Sequence, residues 1–282
     1  MVLKNIYIAR HGYRSNWLPP PHPDPPTGID SDILLAPHGV DQAVELGSYI
    51  STLDKKPRLI FSSPFYRCIQ TSKPVSEKLG LKINLERGIG EWFRPDREII
   101  PEPGDVNKMS SFFKGYINEE YDLNSLGIIP SLKGESEQDV FNRCKKFVEI
   151  FIPFIDRKYP QVESVLLVTH AATKIALGMA LLGYQGVKQK LEPKDIINGD
   201  DRLRTGSCSL DEFERDTNSN SWKLLMNGNT DFLSEGEEMN WNFESSFEAG
   251  SDEDIKARAE AQSRRAAKNA KNKEYDVSKG KL

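Results

Sequence analysis

Two stretches of the chain are apolar almost without interruption, and both stop at a histidine. Residues 3–9, Leu-Lys-Asn-Ile-Tyr-Ile-Ala, run into Arg10-His11-Gly12-Tyr13-Arg14, and residues 164–168, Ser-Val-Leu-Leu-Val, run through Thr169 into His170-Ala171-Ala172-Thr173. Runs of this length read as strands buried on both faces, the pattern of a parallel sheet in an α/β domain. Shorter runs at Arg58-Leu59-Ile60-Phe61 and Lys82-Ile83-Asn84-Leu85 predict two more strands. Between them the apolar period becomes helical. Val40, Ala43, Val44, Leu46, Gly47 and Ile50 predict a helix from Pro37 to near Asp54. Val140, Phe141, Cys144, Phe147, Val148, Phe151 and Ile152 predict a strongly amphipathic helix from about residue 135 to Tyr159, with Pro153 as a candidate kink. A further helix is expected from Lys174 to Leu182. After the second strand, Ser62 and Ser63 suit a helix cap, Pro64 the first turn and Arg67 the turns that follow. Segments 206–213 and 222–227 read as a closing antiparallel hairpin at a sheet edge.

The remaining stretches break these periods. Residues 18–28 hold too many prolines for helix or central strand, so they form an irregular loop, either a rim beside His11 or a partner-recognition connection. Gly88-Ile89-Gly90-Glu91-Trp92 reads as a tight loop that sets Glu91 beside an anchoring aromatic. Residues 95–133 have weak periodicity and read as an inserted cap. Residues 231–254 are acidic without a lysine or arginine, and 256–281 are alanine-rich and basic. The expected organisation is one domain over residues 1–229, an acidic disordered linker over 230–255, and a basic tail over 256–282 that is disordered or a marginal helix. The tail's charge reads as solvation in preference to nucleic-acid contact.

Composition narrows the classes. The 282 residues suffice for a full core, and a net charge of −4 argues against a general polyanion binder. No stretch is apolar for long enough to span a bilayer, and the first ten residues lack a secretory pattern, so a cytoplasmic or nuclear protein is expected, with no membrane partner. Cys68, Cys144 and Cys208 are odd in number and far apart, which fits reduced thiols better than disulfides or a zinc knuckle.

The candidate chemistry sits where the apolar runs end. Ligands of open α/β sheets bind beyond the carboxyl ends of the strands, and Gly12 lets the backbone turn away there. That position collects Arg10, His11, Arg14, Arg67 and His170, with Glu91 nearby, a set suited to a tetrahedral dianion. An arginine in the first turns of a helix opposes the macrodipole preference; a bound anion accounts for Arg67 there, and a solvated surface side chain is the other account. A neutral His11 can attack phosphorus and form a phosphohistidine, while a carboxylic acid such as Glu91 protonates the leaving alkoxide and then activates water. His11 must be neutral to attack, so its cationic neighbours are expected to depress its pKa. No metal or cofactor is required. The four histidines, His11, His22, His38 and His170, lack zinc-ligand spacing. Tyr13, Trp17, Trp92 and Phe93 either wall the site, admitting phosphotyrosine or a nucleotide base, or belong to the core.

Arg10-His11-Gly12, Ser63-Pro64-x-x-Arg67 with Thr71, Glu91, and Thr169-His170 occur in the order and approximate spacing of the histidine phosphatase superfamily, the phosphoglycerate mutase-like clan, which the chain resembles over about residues 4–228. The resemblance implies an α/β, three-layer fold with a mixed, mainly parallel sheet flanked by helices. It implies His11 as nucleophile, Arg10, Arg67 and His170 as phosphate pocket, and Glu91 as general acid, with Glu86 as the competing acid because mutases carry theirs at the start of this loop. Arg14 and the Gly90-Glu91-Trp92 loop resemble the eukaryotic branch that holds the T-cell-signalling suppressor phosphatases and the phosphatase-like subunit of the fungal transcription factor TFIIIC. In that branch the additional arginine lines the pocket, which extends the implied substrate-binding set to Arg14, with Tyr13 beside it. Tyr13-Arg14 where mutases have Glu or Gln and Ser or Thr disfavours a mutase, and Ala171-Ala172 in place of glycines narrows the pocket. The implied function is a metal-independent phosphomonoesterase acting on a phosphorylated small molecule or phosphotyrosine-type substrate. The alternatives are a phosphatase-like scaffold with protein partners in a transcription-related complex and, third, a phosphoglycerate-type mutase.

Overall fold

The computed structural model describes residues 2–216, 218–245, 247, 251 and 253–256. Both long apolar runs are strands at the centre of one sheet. β1 (Asn5–Arg10) and β4 (Ser164–Thr169) are buried along their whole length and pair in parallel, with Arg10 opposite Thr169. β4 also pairs in parallel with β2 (Leu59–Ser62), and β2 with β3 (Ile83–Leu85). The hairpin β5 (Leu210–Asp216) and β6 (Ser221–Asn229) continues the other side, β5 antiparallel to β1, giving the order β3-β2-β4-β1-β5-β6. The sheet is therefore mixed and mainly parallel, as expected. Arg10 is the last strand residue and not the first beyond it.

Helices cover both faces because each strand alternates its side chains. On one face Ile60 joins a buried cluster with Leu46 and Ile50 of α1 (Pro37–Thr52) and Cys68, Ile69 and Val75 of α2 (Tyr66–Leu79). On the other, Phe61 meets Phe151 of α4 (Glu137–Lys158) edge-on at 5.0 Å, and α4 packs on α5 (Ala171–Leu181). Burying each such side chain contributes about 1.5–3 kcal/mol. A Ser136–Asp139 capping box starts α4, satisfying two backbone donors reciprocally.

Two expectations need correction. Ser62 and Ser63 do not cap α2: Phe65 occupies the cap position, Pro64 precedes it, and the amide of Tyr66 donates to Asp32 Oδ1 at 2.7 Å. A carboxylate from a distant loop replaces the local hydroxyls, which are engaged elsewhere. The helix after β4 begins at Ala171, directly after His170, because two alanines form a helix start readily. The cap over 95–133 does contain α3 (Val106–Phe112), and its Met109, Phe113 and Ile117 enter the same core cluster as Ile83, so it packs on the sheet edge.

The domain also runs further than residue 229. The compact unit spans residues 1–244 and a second unit 245–282. Within the stretch read as a disordered linker, Leu233, Trp241 and Phe243 are buried. These apolar anchors, irregularly spaced, hold down a segment whose average composition is that of a solvated linker. In the second unit, residues 253–256 form a helical turn; the rest of the expected basic tail, from 257, lies outside the described residues.

Candidate active site

Gly12 is required by close approach. A Cβ there would stand 2.6 Å from the Gly39 carbonyl oxygen, and one on Gly39 would stand 2.1 Å from that of Tyr13, so the loop after β1 lies directly on the start of α1. Thr71 of α2 accepts the Gly12 amide at 3.0 Å. His11 is thereby fixed at the strand end, 1% exposed, its amide donating to the Thr169 carbonyl at 2.9 Å. Its Nδ1 lies 2.8 Å from the Gly12 carbonyl, which can only accept, so Nδ1 carries the proton and Nε2 presents its lone pair.

His170, on the adjacent strand, lies with its ring centroid 5.4 Å from that of His11. Its Nε2 is 2.8 Å from Ser63 Oγ, which is the work that hydroxyl does in place of capping. Its Nδ1 lies 3.1 Å from Glu91 Oε2 and 3.1 Å from Arg67 Nη2. The same Arg67 nitrogen donates to Glu91 Oε2 at 2.9 Å, Nη1 donates to the Ser31 carbonyl at 3.2 Å, and the guanidinium rests on the Phe65 ring. Arg10 donates through Nη1 to the carbonyls of Thr205 and Met239 and lies over Trp17. Arg14 is buried against the same ring, and its Nε has no hydrogen-bond partner among the described residues.

Burial, followed by the charges of Arg67, Arg10, His170 and Arg14, holds the His11 imidazole well below its ordinary pKa. The depressed pKa expected for His11 is found, with desolvation a larger cause than the cations. Burial likewise pulls His170 down to about 4, Glu91 working against it and Arg67 with it. For Glu91, burial raises the pKa, but His170, Arg67 and Arg14 together overcome it and hold the carboxyl well below the carboxylate range. Burial and Arg67 push Arg14 down to about 9, which leaves it charged at neutral pH.

The structure thus brings Arg10, His11, Arg14, Arg67, His170 and Glu91 to one end of the sheet. Glu86 stands apart, accepting from Gly88 N at 3.0 Å and from the Tyr121 hydroxyl at 2.7 Å, and burial raises it to about 7. Tyr13 is a brace: its ring is edge-on to Trp17 and His38, and its hydroxyl donates to the Trp17 carbonyl. Trp92 belongs to the core, meeting Trp241 and Phe243, while Phe93 lines, with Phe65, Pro130 and Leu132, a pocket that reaches Glu91. Ser63 belongs to the Ser63-Pro64-x-x-Arg67 pattern but was given no role in the site, and Asp32, Thr205 and Met239 were not singled out at all; no local pattern marks these three, since each acts across a long sequence separation. The three cysteines are free and buried. His11, Glu91 and His170 offer donor atoms within 4.8 Å of one another, a set able to hold a metal, but Arg10, Arg14 and Arg67 place three positive charges around it and repel a cation.

The fold and the site define a class, the α/β proteins of phosphoglycerate mutase-like architecture with paired histidines at adjacent strand ends. The model of the histidine phosphatase superfamily (branch 1) matches residues 6–191, and the chain belongs to that superfamily. It is 52% identical over 280 residues to the transcription factor tau 55 kDa subunit of Saccharomyces cerevisiae, covering 92% of this chain and 62% of that one. It is 31% identical over 253 residues to the ecdysteroid-phosphate phosphatase of Drosophila melanogaster, covering 79% of this chain and 32% of that one. The chain therefore spans less than two thirds of either relative. Among solved structures, the ecdysone phosphate phosphatase from Bombix mori in complex with tungstate superposes with a TM-score of 0.57 at 16% identity, covering 79% of this chain and 92% of that one. The mycobacterial glucosyl-3-phosphoglycerate phosphatase with inorganic phosphate gives a TM-score of 0.52 at 18% identity, covering 82% and 100%.

Proposed function

We propose that the chain is a phosphomonoesterase working through a phosphohistidine on His11. The observation that carries this reading is the His11 tautomer: Nδ1–H is spent on the Gly12 carbonyl, and Nε2 is left as a nucleophile held neutral among guanidinium groups. Arg10, Arg14, Arg67 and His170 hold the phosphoryl oxygens. Nε2 forms a bond to phosphorus as the ester P–O bond breaks, and the leaving oxygen takes a proton from Glu91. Glu91 is ionised in the empty site; a dianion beside it offsets the cations and raises its pKa, so it acquires its proton as substrate binds. In the second step Glu91 takes a proton from water, the water oxygen bonds to phosphorus, the N–P bond breaks and phosphate leaves. The test is hydrolysis of an aryl phosphate by the purified protein beside His11→Ala. Activity that is absent, or unchanged in the variant, overturns the proposal.

A second reading rests on the 52% identity to a transcription factor subunit: a phosphatase-like member of a nuclear protein complex, in which the same surface serves assembly. Stoichiometric recovery of protein partners by tagged His11→Ala protein, with no hydrolysis by the wild type, favours it.

A further inference from the structure

The segment 237–243 touches Arg10, the main chain at Thr205 and Ser207, the start of α1 at His38 and Gln42, and Trp92 beside Glu91. Its Met239 carbonyl accepts from Arg10 Nη1 at 2.6 Å, and Met239 takes a left-handed backbone conformation, φ 53°, which few residues other than glycine adopt. The second acceptor of that nitrogen, the Thr205 carbonyl, is set by the same segment. Thr205 N donates to Asn240 Oδ1 at 2.8 Å, Thr205 Oγ1 donates to the Trp241 carbonyl at 2.6 Å, and Ser207 N donates to the Glu238 carbonyl at 2.8 Å. Glu238 also pairs with His38 and accepts from Gln42, whose own oxygen receives the Tyr13 amide at 3.0 Å, behind the His11 loop. Trp241 and Phe243 pack on Trp92, the residue after Glu91.

We infer that residues 237–243 are a positioning element of the phosphate site, fixing the Arg10 guanidinium through two main-chain carbonyls and seating the Glu91 loop through Trp92. Both acceptors sit on one Arg10 nitrogen, so they determine the rotation of the fork and hence its geometry toward an anion. A segment that only covered the core would contribute apolar contacts; this one spends main-chain acceptors on a buried cation. The inference rests on the phosphatase reading.

The test uses the full chain, with inorganic phosphate titrated calorimetrically and kcat and KM measured on an aryl phosphate. Asn240→Ala removes the acceptor of Thr205 N. It is expected to weaken phosphate binding and raise KM by about tenfold, the effect of one lost hydrogen bond that orients a charged group, with a smaller change in kcat. In an Arg10→Ala background the same substitution is expected to change neither. An equal loss in both backgrounds, or no loss in the wild-type background, overturns the inference. Trp241→Phe, which keeps the main chain and an apolar side chain, loosens the contact with Trp92; should Asn240→Ala fold poorly, it is read in the wild-type background alone, where a several-fold loss is expected and unaltered phosphate binding and kinetics overturn the inference. A wild type that binds no phosphate overturns the phosphatase reading and this inference with it, whereas wild-type binding unaltered by either substitution overturns this inference alone.

Discussion

Arg67 Nη2 lies 2.9 Å from Glu91 Oε2, and both side chains are closed off from solvent, 1% and 10% exposed. The proposed acid therefore rests as an ion pair with one of the proposed phosphate ligands. Substrate must break or share that pair. If Glu91 then donates a proton, its removal costs most where the leaving group needs one. Glu91→Gln is expected to lower kcat/KM, which reports the phosphoryl-transfer step to His11, by about 10²–10⁴-fold for an alkyl phosphate, the usual contribution of general acid catalysis, and far less for a nitrophenyl phosphate. Equal loss on both substrates removes Glu91 from the acid role.

Arg14 presents a buried guanidinium whose Nε has no partner among the described residues, a costly arrangement. If Arg14 holds a phosphoryl group as proposed, the ligand offsets that cost and the side chain trades stability for affinity. Arg14→Met is expected to raise the melting temperature and to raise KM for an aryl phosphate by about 10–100-fold, equivalent to about 1.5–3 kcal/mol for a hydrogen bond to a charged group. Thermal denaturation and steady-state kinetics on the same preparation check both signs. A lower melting temperature would show that Arg14 supports the fold.

What the sequence pattern made legible is what depends on local order. The apolar runs at residues 3–9 and 164–168 place β1 and β4, and hence Arg10, His11 and His170, because a strand buried on both faces leaves a continuous signal. The aromatic after Glu91 distinguishes it from Glu86, and the structure sets Glu91 on His170 and Arg67 and Glu86 on Tyr121. What depends on pairing at a distance was not legible. Ser63 obeys the local rule for a cap, yet its hydroxyl bonds to His170, 107 residues away, and Asp32 takes the capping task from another loop. Residues 230–244 carry no period, and their acidic average conceals the five apolar side chains Phe232, Leu233, Met239, Trp241 and Phe243, three of them buried.

The pH dependence of stability separates these groups by sign. His11 and His170 have folded-state pKa values below the unfolded value, so the unfolded chain binds more protons below pH 6.5 and stability falls as pH drops. The slope is about 1.4 kcal/mol per pH unit for each imidazole, for His170 between about pH 6.5 and its folded value of about 4. Glu86 works oppositely. Its pKa is raised to about 7, so its contribution is full below the unfolded carboxylate value and is lost as pH rises toward 7. Urea denaturation of Glu86→Gln against wild type between pH 5 and 8 is expected to show a steeper rise of stability with pH in the variant, since the opposing group is gone. His170→Gln is expected to flatten the wild-type curve. Parallel curves in either comparison refute the assignment of that group.

Behind Arg10 the core holds an ion pair with no exposure at either partner, Lys174 Nζ to Asp211 Oδ2 at 2.6 Å. Burial opposes both charges, lowering the lysine pKa and raising the aspartate pKa, and each is offset chiefly by the other. Lys174 lies one helical turn after His170 and also donates to the Arg204 carbonyl at 2.8 Å, next to the Thr205 carbonyl that receives Arg10. Asp211 Oδ1 accepts the Gly228 amide from the neighbouring strand. Removing one partner leaves the other charge buried and alone, so Lys174→Met is expected to destabilise the fold by about 3–5 kcal/mol. Replacing both, Lys174→Met with Asp211→Leu, is expected to recover most of that loss, because the desolvation cost disappears with the charges. Phosphate affinity is expected to stay reduced in the double variant, since the hydrogen bond from Lys174 Nζ to the Arg204 carbonyl is then lost. Equilibrium denaturation and phosphate titration of the three proteins decide between a pair that serves only the fold and one that also holds the acceptor of Arg10. Recovery of affinity together with stability assigns the pair to the fold alone.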